Sequence, residues 1–328
     1  MMNNNKLDVV TLGEAMMMFV ATKAGELHDV ENFVRRAAGA ELNVAIGLSR
    51  IGLRSGWVSR LGNDSFGRFI QSTLEKENVD YECVLIDAEH PTGFQLKSKA
   101  ENGTDPTVEY FRKGSAASHL DLTDFNEDYF ISARHLHLSG VAAALSSTSY
   151  QLSLYAAKWM RNAGKTLSFD PNLRPSLWKS EAEMVEQLNQ LAFHANWVLP
   201  GLKEGKILTG YDKPEDIADF YLSQGVDVVV IKTGEQGAYY KTSENQKGIV
   251  PALRVKHVVD TVGAGDGFAV GVISALLEGE PLQRAVERGN FVGARAIQVI
   301  GDSEGLPTKA QLQQEMSLLS PSTSPVFG

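Results

Sequence analysis

The segment Asp260-Thr-Val-Gly-Ala-Gly-Asp-Gly-Phe268 is the most informative part of this sequence. An apolar strand is predicted before it, over residues 252–259, and an apolar helix is predicted to begin near Ala264. Gly263 and Gly265 allow the backbone to approach a ligand closely, and the first N–H groups of the helix point toward that ligand. A strand, a glycine-rich turn and a helix in this order indicate an α/β fold with an anion-binding helix start.

Asp266 stands in the first turn of this predicted helix. A carboxylate there is placed to accept a proton from an attacking hydroxyl, while the helix start stabilises charge on a transferring phosphoryl group. The alternative is a tight turn in which Asp266 is only a favourable negative charge at a helix N-terminus. A bare Gly-x-Gly-Asp favours that alternative, whereas the whole nine-residue segment favours a general base.

Composition limits the classes of protein to which the chain can belong. It has 328 residues, of which 43% are hydrophobic and 22% charged, as is usual for globular proteins. The formal net charge of -9 disfavours a nucleic-acid partner. Cys83 is the single cysteine, which excludes an internal disulfide and a cysteine-rich metal site. No apolar run approaches the ~20 residues of a membrane helix or resembles a secretion signal, so we expect a cytoplasmic protein without a membrane partner.

Strands and helices alternate along most of the chain, which predicts an α/β fold with a mostly parallel sheet. We expect a single domain over residues 1–318, followed by a loosely ordered Pro/Ser-rich tail over 319–328. The predicted strands cover 7–13, 55–61, 134–138, 166–169, 197–199 and 226–231, and the predicted helices cover 40–51, 146–162, 181–194 and 217–224, with a further helix after Asp64.

Two regions, 15–37 and 91–114, break this alternation and have the pattern of strand pairs without a helix. In the second region, apolar and polar residues alternate over 94–99, Asn102-Gly103 gives a turn signal, and a return strand follows over 108–112. We predict a small antiparallel sheet that projects from the main domain as a lid over a cleft. The alternative is a peripheral extension used for oligomer contacts, and both roles are compatible.

The segment 260–266 resembles the C-terminal signature of the ribokinase-like family of carbohydrate kinases. The stretches 39–45, Gly-Ala-Glu-Leu-Asn-Val-Ala, and 61–67, Leu-Gly-Asn-Asp-Ser-Phe-Gly, resemble the N-terminal signature of that family. Because these signatures lie near both ends, the resemblance covers nearly the whole chain. It implies a three-layer α/β/α fold with a mostly parallel central sheet and a small β-sheet lid. It also implies an ATP-dependent kinase that acts on a sugar hydroxyl.

The same resemblance implies roles for the residues around the acceptor sugar. Asp266 would be the general base, and Gly39 and Asn43 would contact the sugar. The usual pair of glycines is reduced here, because Ala38 precedes Gly39. The anion hole would be formed by the amides of Gly263, Ala264 and Gly265.

On the nucleotide side, residues 229–237 resemble a strand and turn that lie along the ATP phosphates, with Lys232 and Gly234 as the contacts. Asn290 matches a position near the adenine, and Glu204 matches a glutamate that helps to organise Mg²⁺ indirectly. Without the family, Gly234 would be a turn glycine and Asn290 a helix surface residue. The family also raises the question of a K⁺ ion near Asp260, which the sequence leaves open.

Two arginines indicate the kind of substrate. Tyr110 and Arg112 are predicted on one face of the return strand, and Arg174 follows a central strand, where open α/β sheets bind ligands. Two arginines that converge on a cleft suit a carboxylate. The alternatives are that Arg112 is a solvated strand residue and Arg174 a structural salt-bridge donor.

This pattern, with the stretches 199–205 and 301–305, resembles the 2-keto-3-deoxygluconate kinases within the family. That resemblance implies that Tyr110, Arg112 and Arg174 hold the carboxylate and keto end of the substrate, while Asp302 binds a hydroxyl. Asp266 would then deprotonate the 6-hydroxyl, and the product would be 2-keto-3-deoxy-6-phosphogluconate. The alternatives are a 5-keto-2-deoxygluconate kinase, a fructokinase, or a non-catalytic sugar- or nucleotide-sensing protein. The family also implies a homo-oligomer that pairs through the lid.

Overall fold

The computed structural model describes residues 6–99, 105–255 and 258–319. The Asn102-Gly103 turn signal and residues 320–328 of the predicted tail lie outside this part of the chain. The strands are β1 (Val9–Leu12), β2 (Met16–Ala21), β3 (Phe33–Ala38), β4 (Ser55–Gly62), β5 (Val84–Asp87), β6 (Phe94–Lys97), β7 (Val108–Phe111), β8 (His135–Ser139), β9 (Thr166–Asp170), β10 (Trp197–Val198), β11 (Val228–Lys232), β12 (Ala238–Thr242) and β13 (Lys247–Val250).

Eleven α-helices accompany these strands within the described residues. They are α1 (Ala40–Arg50), α2 (Ser65–Lys76), α3 (Glu127–Ile131), α4 (Gly140–Ala144), α5 (Ser147–Asn162), α6 (Glu181–Ala192), α7 (Leu202–Thr209), α8 (Pro214–Ser223), α9 (Ala264–Leu277), α10 (Leu282–Ala296) and α11 (Lys309–Leu319). In the described residues, no helix combines the length and the apolar character that crossing a bilayer requires.

A nine-stranded sheet in the order β13-β12-β11-β10-β9-β8-β1-β4-β5 forms the centre of the fold. The seven strands from β11 to β5 in this order pair in parallel. Strand β12 pairs antiparallel with both β11 and β13. Both faces of the sheet are covered by helices, which explains why β1 and β8 are buried along their whole length. The α/β class with a mostly parallel sheet, predicted from the alternation, is confirmed.

Two hydrophobic cores lie on opposite sides of this sheet and give the three layers. One core contains apolar residues of α5, α6 and α8, such as Met160, Leu188 and Ile217. The other contains residues of α1, α9 and α10, such as Leu48, Val270 and Val292. Helix α9 is apolar on nearly all sides because it packs between its neighbouring helices rather than facing solvent.

A separate four-stranded sheet in the order β3-β2-β6-β7 is the small sheet predicted from the two irregular regions. The two predicted strand pairs are antiparallel, as expected, whereas the central pairing of β2 with β6 is parallel. The reason is topological: β2–β3 and β6–β7 are two antiparallel pairs from distant parts of the chain. They meet through β2 and β6, which run in the same direction.

The strand predicted over 252–259 is absent from the described part of that range, where residues 252–255 and 258–259 have no regular structure. The residues just before this range and at its end are bonded to α10 and to the residue that follows it. Asn290 Nδ2 donates to the carbonyls of Val250 and Pro251, and Val259 N–H donates to Ile297 O. The β12–β13 hairpin that precedes it was not predicted from the sequence.

Candidate active site

Two cavities meet at the carboxyl ends of the parallel strands, where open α/β sheets bind ligands. The first, of about 530 Å³, is lined by residues of the small sheet and by Asp266. The second, of about 750 Å³, lies between the start of α9 and residues 252–255. Lys232, Thr261 and Gly265 line both cavities. The arrangement therefore suits transfer of a group between two ligands across the first turn of α9.

Asp266 is the third residue of α9 and faces the first cavity. Its Oδ2 accepts a 2.8 Å hydrogen bond from Asn43 Nδ2. Burial raises the pKa of Asp266 to about 7, and the Asp170 and Asp302 charges add to this effect, whereas the Asn43 hydrogen bond opposes it. A carboxyl group with a pKa near neutrality can accept a proton from a hydroxyl and release it again.

The turn before α9 has the geometry that its glycines predict. Gly263 has a φ of 83°, in the left-handed region, and a Cβ there would lie 2.3 Å from Asp302 O. The first N–H groups of a helix have no acceptor within the helix, so those of Ala264 and Gly265 are available to an anion. Both residues line the second cavity. The structure thus brings the predicted anion hole and Asp266 into one helical turn.

Gly39 and Asn43 are brought together with Asp266, as expected for residues that contact one ligand. Gly39 has a φ of 152°, and a Cβ there would lie 2.3 Å from Glu14 O, so this position requires glycine. Asn43 lies one turn into α1 and uses its Nδ2 on Asp266. Its buried Oδ1 has no hydrogen-bond partner among the described residues, which leaves an acceptor for a ligand hydroxyl.

Lys232 ends β11 and lies at the junction of the two cavities. Its Nζ is 2.6 Å from Oδ2 of Asp170, the last residue of β9. Burial raises the pKa of Asp170 to about 6, with Glu204 adding to the effect and Lys232 opposing it. Burial opposes the charge of Lys232, but the Asp170 and Glu204 carboxylates outweigh it and raise the pKa of the lysine. Lys232 therefore carries its charge where the two ligands would meet.

Glu204 lies in the first turn of α7 and lines the first cavity. Its Oε1 accepts a 2.8 Å hydrogen bond from Leu173 N–H, and its Oε2 accepts one of 2.7 Å from Gly201 N–H. The described residues contain no group of three or more His, Cys, Asp or Glu side chains that could hold a metal. Mg²⁺ that arrives with a nucleotide keeps several waters and needs only one or two carboxylates. Asp170 and Glu204 together fit that demand.

Arg112 is not the solvated strand residue that was the alternative for it. Its side chain is 9% exposed, and its Nε lies 2.6 Å from Oε2 of the fully buried Glu14. Glu14 also accepts a hydrogen bond from Ser115. Tyr110, half exposed, lies with its ring 5.8 Å from the Arg112 guanidinium carbon. Sequence reasoning missed Glu14, although its place directly after a buried strand marks it as a residue of the cleft.

Arg174 lines the first cavity without a carboxylate partner among the described residues. Its Nη1 donates to the carbonyl oxygen of Leu173 at 2.9 Å. Its charge acts against the raised pKa values of Asp266 and Asp302. The alternative of a structural salt bridge therefore fails within the described chain. The structure makes Arg174, rather than Arg112, the arginine whose charge is left for a ligand.

Asp302 is brought to the first cavity as expected, but it is bonded to a lysine that sequence reasoning missed. Lys97 Nζ lies 3.0 Å from Asp302 Oδ1 and 2.6 Å from Asp260 Oδ2. The alternation over 94–99 predicted a strand but did not indicate which of its faces is buried. In the structure Gln95 and Lys97 are buried and Phe94 is only half-buried, because the polar face of β6 covers the cleft.

The remaining expected contacts, Gly234 and Asn290, both line the second cavity. Gly234 has a φ of 63°, and a Cβ there would meet no atom within 4 Å, so it is open to a ligand. The Asn290 amide nitrogen is bonded to the carbonyls of Val250 and Pro251. Asn290 therefore also holds the segment that closes this cavity.

Comparison with known proteins shows the family to which the chain belongs. The family described as pfkB family carbohydrate kinase matches residues 6–309. The 2-dehydro-3-deoxygluconokinase of Bacillus subtilis is 51% identical over 313 residues, 95% of this chain and 96% of its own length.

Solved structures with the same fold contain nucleotides and ions. A ribokinase II from E. coli, in complex with ATP and Mg²⁺, has a TM-score of 0.86 and 25% identity, covering 95% of this chain and 99% of its own. A fructokinase double mutant from Vibrio cholerae, with fructose, ADP and potassium bound, has a TM-score of 0.82 and 28% identity, covering 94% and 98%. The fructokinase structure therefore contains a sugar, a nucleotide and a monovalent cation together.

Proposed function

Because this chain belongs to the pfkB family of carbohydrate kinases, we propose that it phosphorylates the 6-hydroxyl of 2-keto-3-deoxygluconate. Its family and relatives make it an ATP-dependent sugar kinase that uses Mg²⁺. The substrate proposal goes further and rests chiefly on Arg174, an uncompensated cation in the cavity that contains Asp266. The product would be 2-keto-3-deoxy-6-phosphogluconate.

The two cavities divide between the two substrates in this proposal. The sugar acid lies in the first, and the nucleotide lies in the second, between Gly234 and Asn290. The phosphoryl group then passes across the first turn of α9, where Lys232 and the amides of Gly263, Ala264 and Gly265 face it. Bound Mg²⁺ would shield the phosphate charge, held near Asp170 and Glu204 through its waters.

Asp266 acts as the general base. As the acceptor hydroxyl attacks, its proton passes to Oδ1 or Oδ2 of Asp266, and the O–P bond forms as the bond to the ADP oxygen breaks. Asn43 holds the carboxylate in place with Nδ2, and Gly39 leaves the room that the sugar needs. The small sheet excludes water from the reacting atoms. Most of the rate enhancement then comes from positioning and from charge stabilisation.

The acidic end of the substrate is held at the other side of the first cavity. Arg174 pairs with the carboxylate, and Tyr110 and Asp302 contact its keto and hydroxyl groups. Arg112 shapes this end of the cavity more than it attracts the substrate carboxylate, because Glu14 already neutralises its charge. A neutral sugar such as fructose would leave the Arg174 charge unmatched, which favours a sugar acid over the fructokinase alternative. The substrate of the 5-keto-2-deoxygluconate kinase alternative is also an acid and differs in the positions of its keto and deoxy carbons, so the charge of Arg174 does not separate the two.

The domain, oligomer and compartment assignments extend the proposal. The chain forms one kinase domain, with the small sheet as its lid. In the lid, the exposed fractions of Val34, Tyr110 and Phe111 are 40%, 48% and 46%. These apolar side chains form a surface suited to pairing with a second copy of the chain. An enzyme of sugar-acid breakdown that uses ATP belongs in the cytoplasm.

An assay of ADP release over a panel of acceptors tests the function. The panel contains 2-keto-3-deoxygluconate, 5-keto-2-deoxygluconate, fructose, ribose and adenosine at equal concentrations. We expect kcat/KM to be highest for 2-keto-3-deoxygluconate. A preference for fructose would overturn the substrate assignment but keep the kinase. No ADP release with any acceptor would favour the sugar- or nucleotide-sensing alternative.

A further inference from the structure

Lys97 connects three distant parts of the chain inside the active site. It belongs to β6 of the small sheet, whereas Asp260 opens the turn before α9 and Asp302 lies between α10 and α11. Its Nζ lies 2.6 Å from Asp260 and 3.0 Å from Asp302. All three side chains are at least nine-tenths buried. An ion group this deep is costly to build unless its charges compensate one another.

The charges of this group bear directly on the catalytic turn. Asp260 uses Oδ2 on Lys97 and Oδ1 on the N–H of Val262 at 3.1 Å, so the ammonium fixes the carboxylate that holds the turn. Burial opposes the charge of Lys97, but Asp302 and Asp260 outweigh it and raise its pKa, so the side chain stays cationic. The Asp302 charge in turn raises the pKa of Asp266. Lys97 therefore influences the base through both carboxylates.

A dissolved K⁺ ion does not fit at this carboxylate. A potassium ion needs several oxygen ligands around it. Both oxygens of Asp260 already have partners, and one of these partners is itself a cation. A K⁺ ion bound to Asp260 would lie close to the Lys97 ammonium and would be repelled by it. The related fructokinase that was crystallised with potassium shows that such an ion occurs on this scaffold, so its place in this chain requires an explanation.

We propose that the Lys97 ammonium is a built-in monovalent cation of this active site, which holds the Asp260–Asp266 turn against the small sheet without dissolved K⁺. Lys97 acts as a positioning residue, since it reaches the reacting atoms only through Asp260 and Asp302. A second bond between the same parts, from Thr261 Oγ1 to Asp105, supports the coupling of the turn to the lid region. This inference rests on the kinase activity proposed above.

The wild-type protein gives the first test, which needs no variant. ADP release is measured in potassium- and ammonium-free buffer with choline chloride, then with KCl at the same ionic strength of about 0.1 M, to hold screening constant. We expect kcat to differ by less than about twofold between the salts, because the Lys97 ammonium already compensates the buried carboxylates. An increase of about tenfold or more with KCl would overturn the proposal. Absence of activity in both salts would instead count against the proposed function.

Removing the ammonium should create a requirement for a dissolved cation. Lys97→Ala leaves room for one, and a cavity of about 20 Å³ that borders Asp260 between Val259 and Ile300 offers a path to it. In choline chloride we expect kcat to fall by about tenfold or more, with much of the loss restored by K⁺ or methylammonium. The thermal midpoint of this variant should also rise with K⁺, whereas that of the wild type should not.

Two variants complete the design. Lys97→Met keeps the volume of the side chain and blocks the space, so its kcat should fall equally without rescue by K⁺. Lys113→Met, at an exposed position just after β7 of the same small sheet, should behave as the wild type does in both salts. Loss of activity in a folded Lys97→Ala protein that no cation restores would assign Lys97 a packing role only and overturn the proposal. If Lys97→Ala fails to fold, the wild-type salt comparison still decides the matter.

Discussion

Asn43 and Asp266 are 223 residues apart in sequence, yet the Asn43 amide donates a 2.8 Å hydrogen bond to the Asp266 carboxylate. This bond joins the start of α1 to the start of α9, so the two sequence signatures form one site. It also fixes the carboxylate that we propose as the base.

Replacement of the proposed base should lower kcat far more than it weakens substrate binding. We expect Asp266→Asn to lower kcat by ~10²–10⁴-fold, the usual contribution of a general base, with KM for the sugar acid little changed. Steady-state ADP release measures both constants. Asp216→Asn is the matched control, because Asp216 is also the third residue of its helix, α8, but is exposed. Retained turnover in Asp266→Asn would rule out its role as base.

The rate should fall in mildly acidic solution. Asp266 must be ionised to accept a proton, and burial raises its pKa from 3.8 to about 7. Because the raised pKa favours the protonated form, kcat/KM should decrease as pH falls through 7, by about tenfold per unit below the pKa. An unperturbed carboxylate would keep the rate constant down to about pH 4.

The variant Asn43→Leu tests whether the decrease of kcat/KM at low pH, the acidic limb of the pH profile, comes from Asp266. Asn43 lowers the pKa of Asp266 through its hydrogen bond, so Asn43→Leu should move the limb to higher pH. Asp170 also has a raised pKa, of about 6, but Asn43 is not among the causes of that shift. A limb that stays in place in Asn43→Leu would therefore point to Asp170 instead of Asp266.

Arg174 should control the affinity for an acidic substrate. We expect Arg174→Ala to raise KM for 2-keto-3-deoxygluconate by about 10–100-fold, the worth of a charge-assisted pair. KM for ATP should change little. Arg68→Ala, at an exposed position of α2, provides the control. An unchanged KM for the acid in Arg174→Ala would contradict the assignment of the carboxylate to this arginine.

Arg112 should matter for stability at least as much as for binding. Arg112→Met leaves the Glu14 carboxylate buried without its cation, which we expect to lower the free energy of unfolding by about 3–5 kcal/mol. Urea unfolding measures the change. The double variant Glu14→Gln with Arg112→Met should recover part of the loss, since no charge is then buried alone.

The control for Arg112 is an exposed pair. Arg54 is 58% exposed and pairs with Asp8, so Arg54→Met should cost no more than about 1 kcal/mol. An equally small effect for Arg112→Met would show that the Glu14 pair is not a significant contributor to stability.

The sequence was sufficient for the layered fold and for most of the residues that meet in the cleft. The large sheet follows from apolar strands that alternate with amphipathic helices, because parallel sheets covered on both faces have that pattern. Asp266 follows from the glycine-rich turn before α9, and Gly39 and Asn43 follow from the resemblance of residues 39–45 to the N-terminal signature of the family. These features are local, and local pattern is what a sequence states directly.

Sequence pattern failed where long-range contacts reversed the local preference. A lysine on a strand is usually exposed, but Asp260 and Asp302, distant in sequence, compensate the charge of Lys97 and allow it to be buried. Residues 252–255 were predicted as part of a strand, yet they pair with no strand among the described residues. Glu14 escaped notice because its partner, Arg112, is 98 residues away.

The two-segment origin of the small sheet affects how substrate preference could be transferred between kinases. A graft of residues 91–115 would carry Lys97, Tyr110 and Arg112 but leave Glu14 and the β2–β3 pair in the recipient. The incoming Arg112 would then depend on a carboxylate that the recipient supplies in place of Glu14. Residues 14–38 and 91–115 should therefore be exchanged as one unit, and we expect natural divergence of acceptor choice to have changed both segments together.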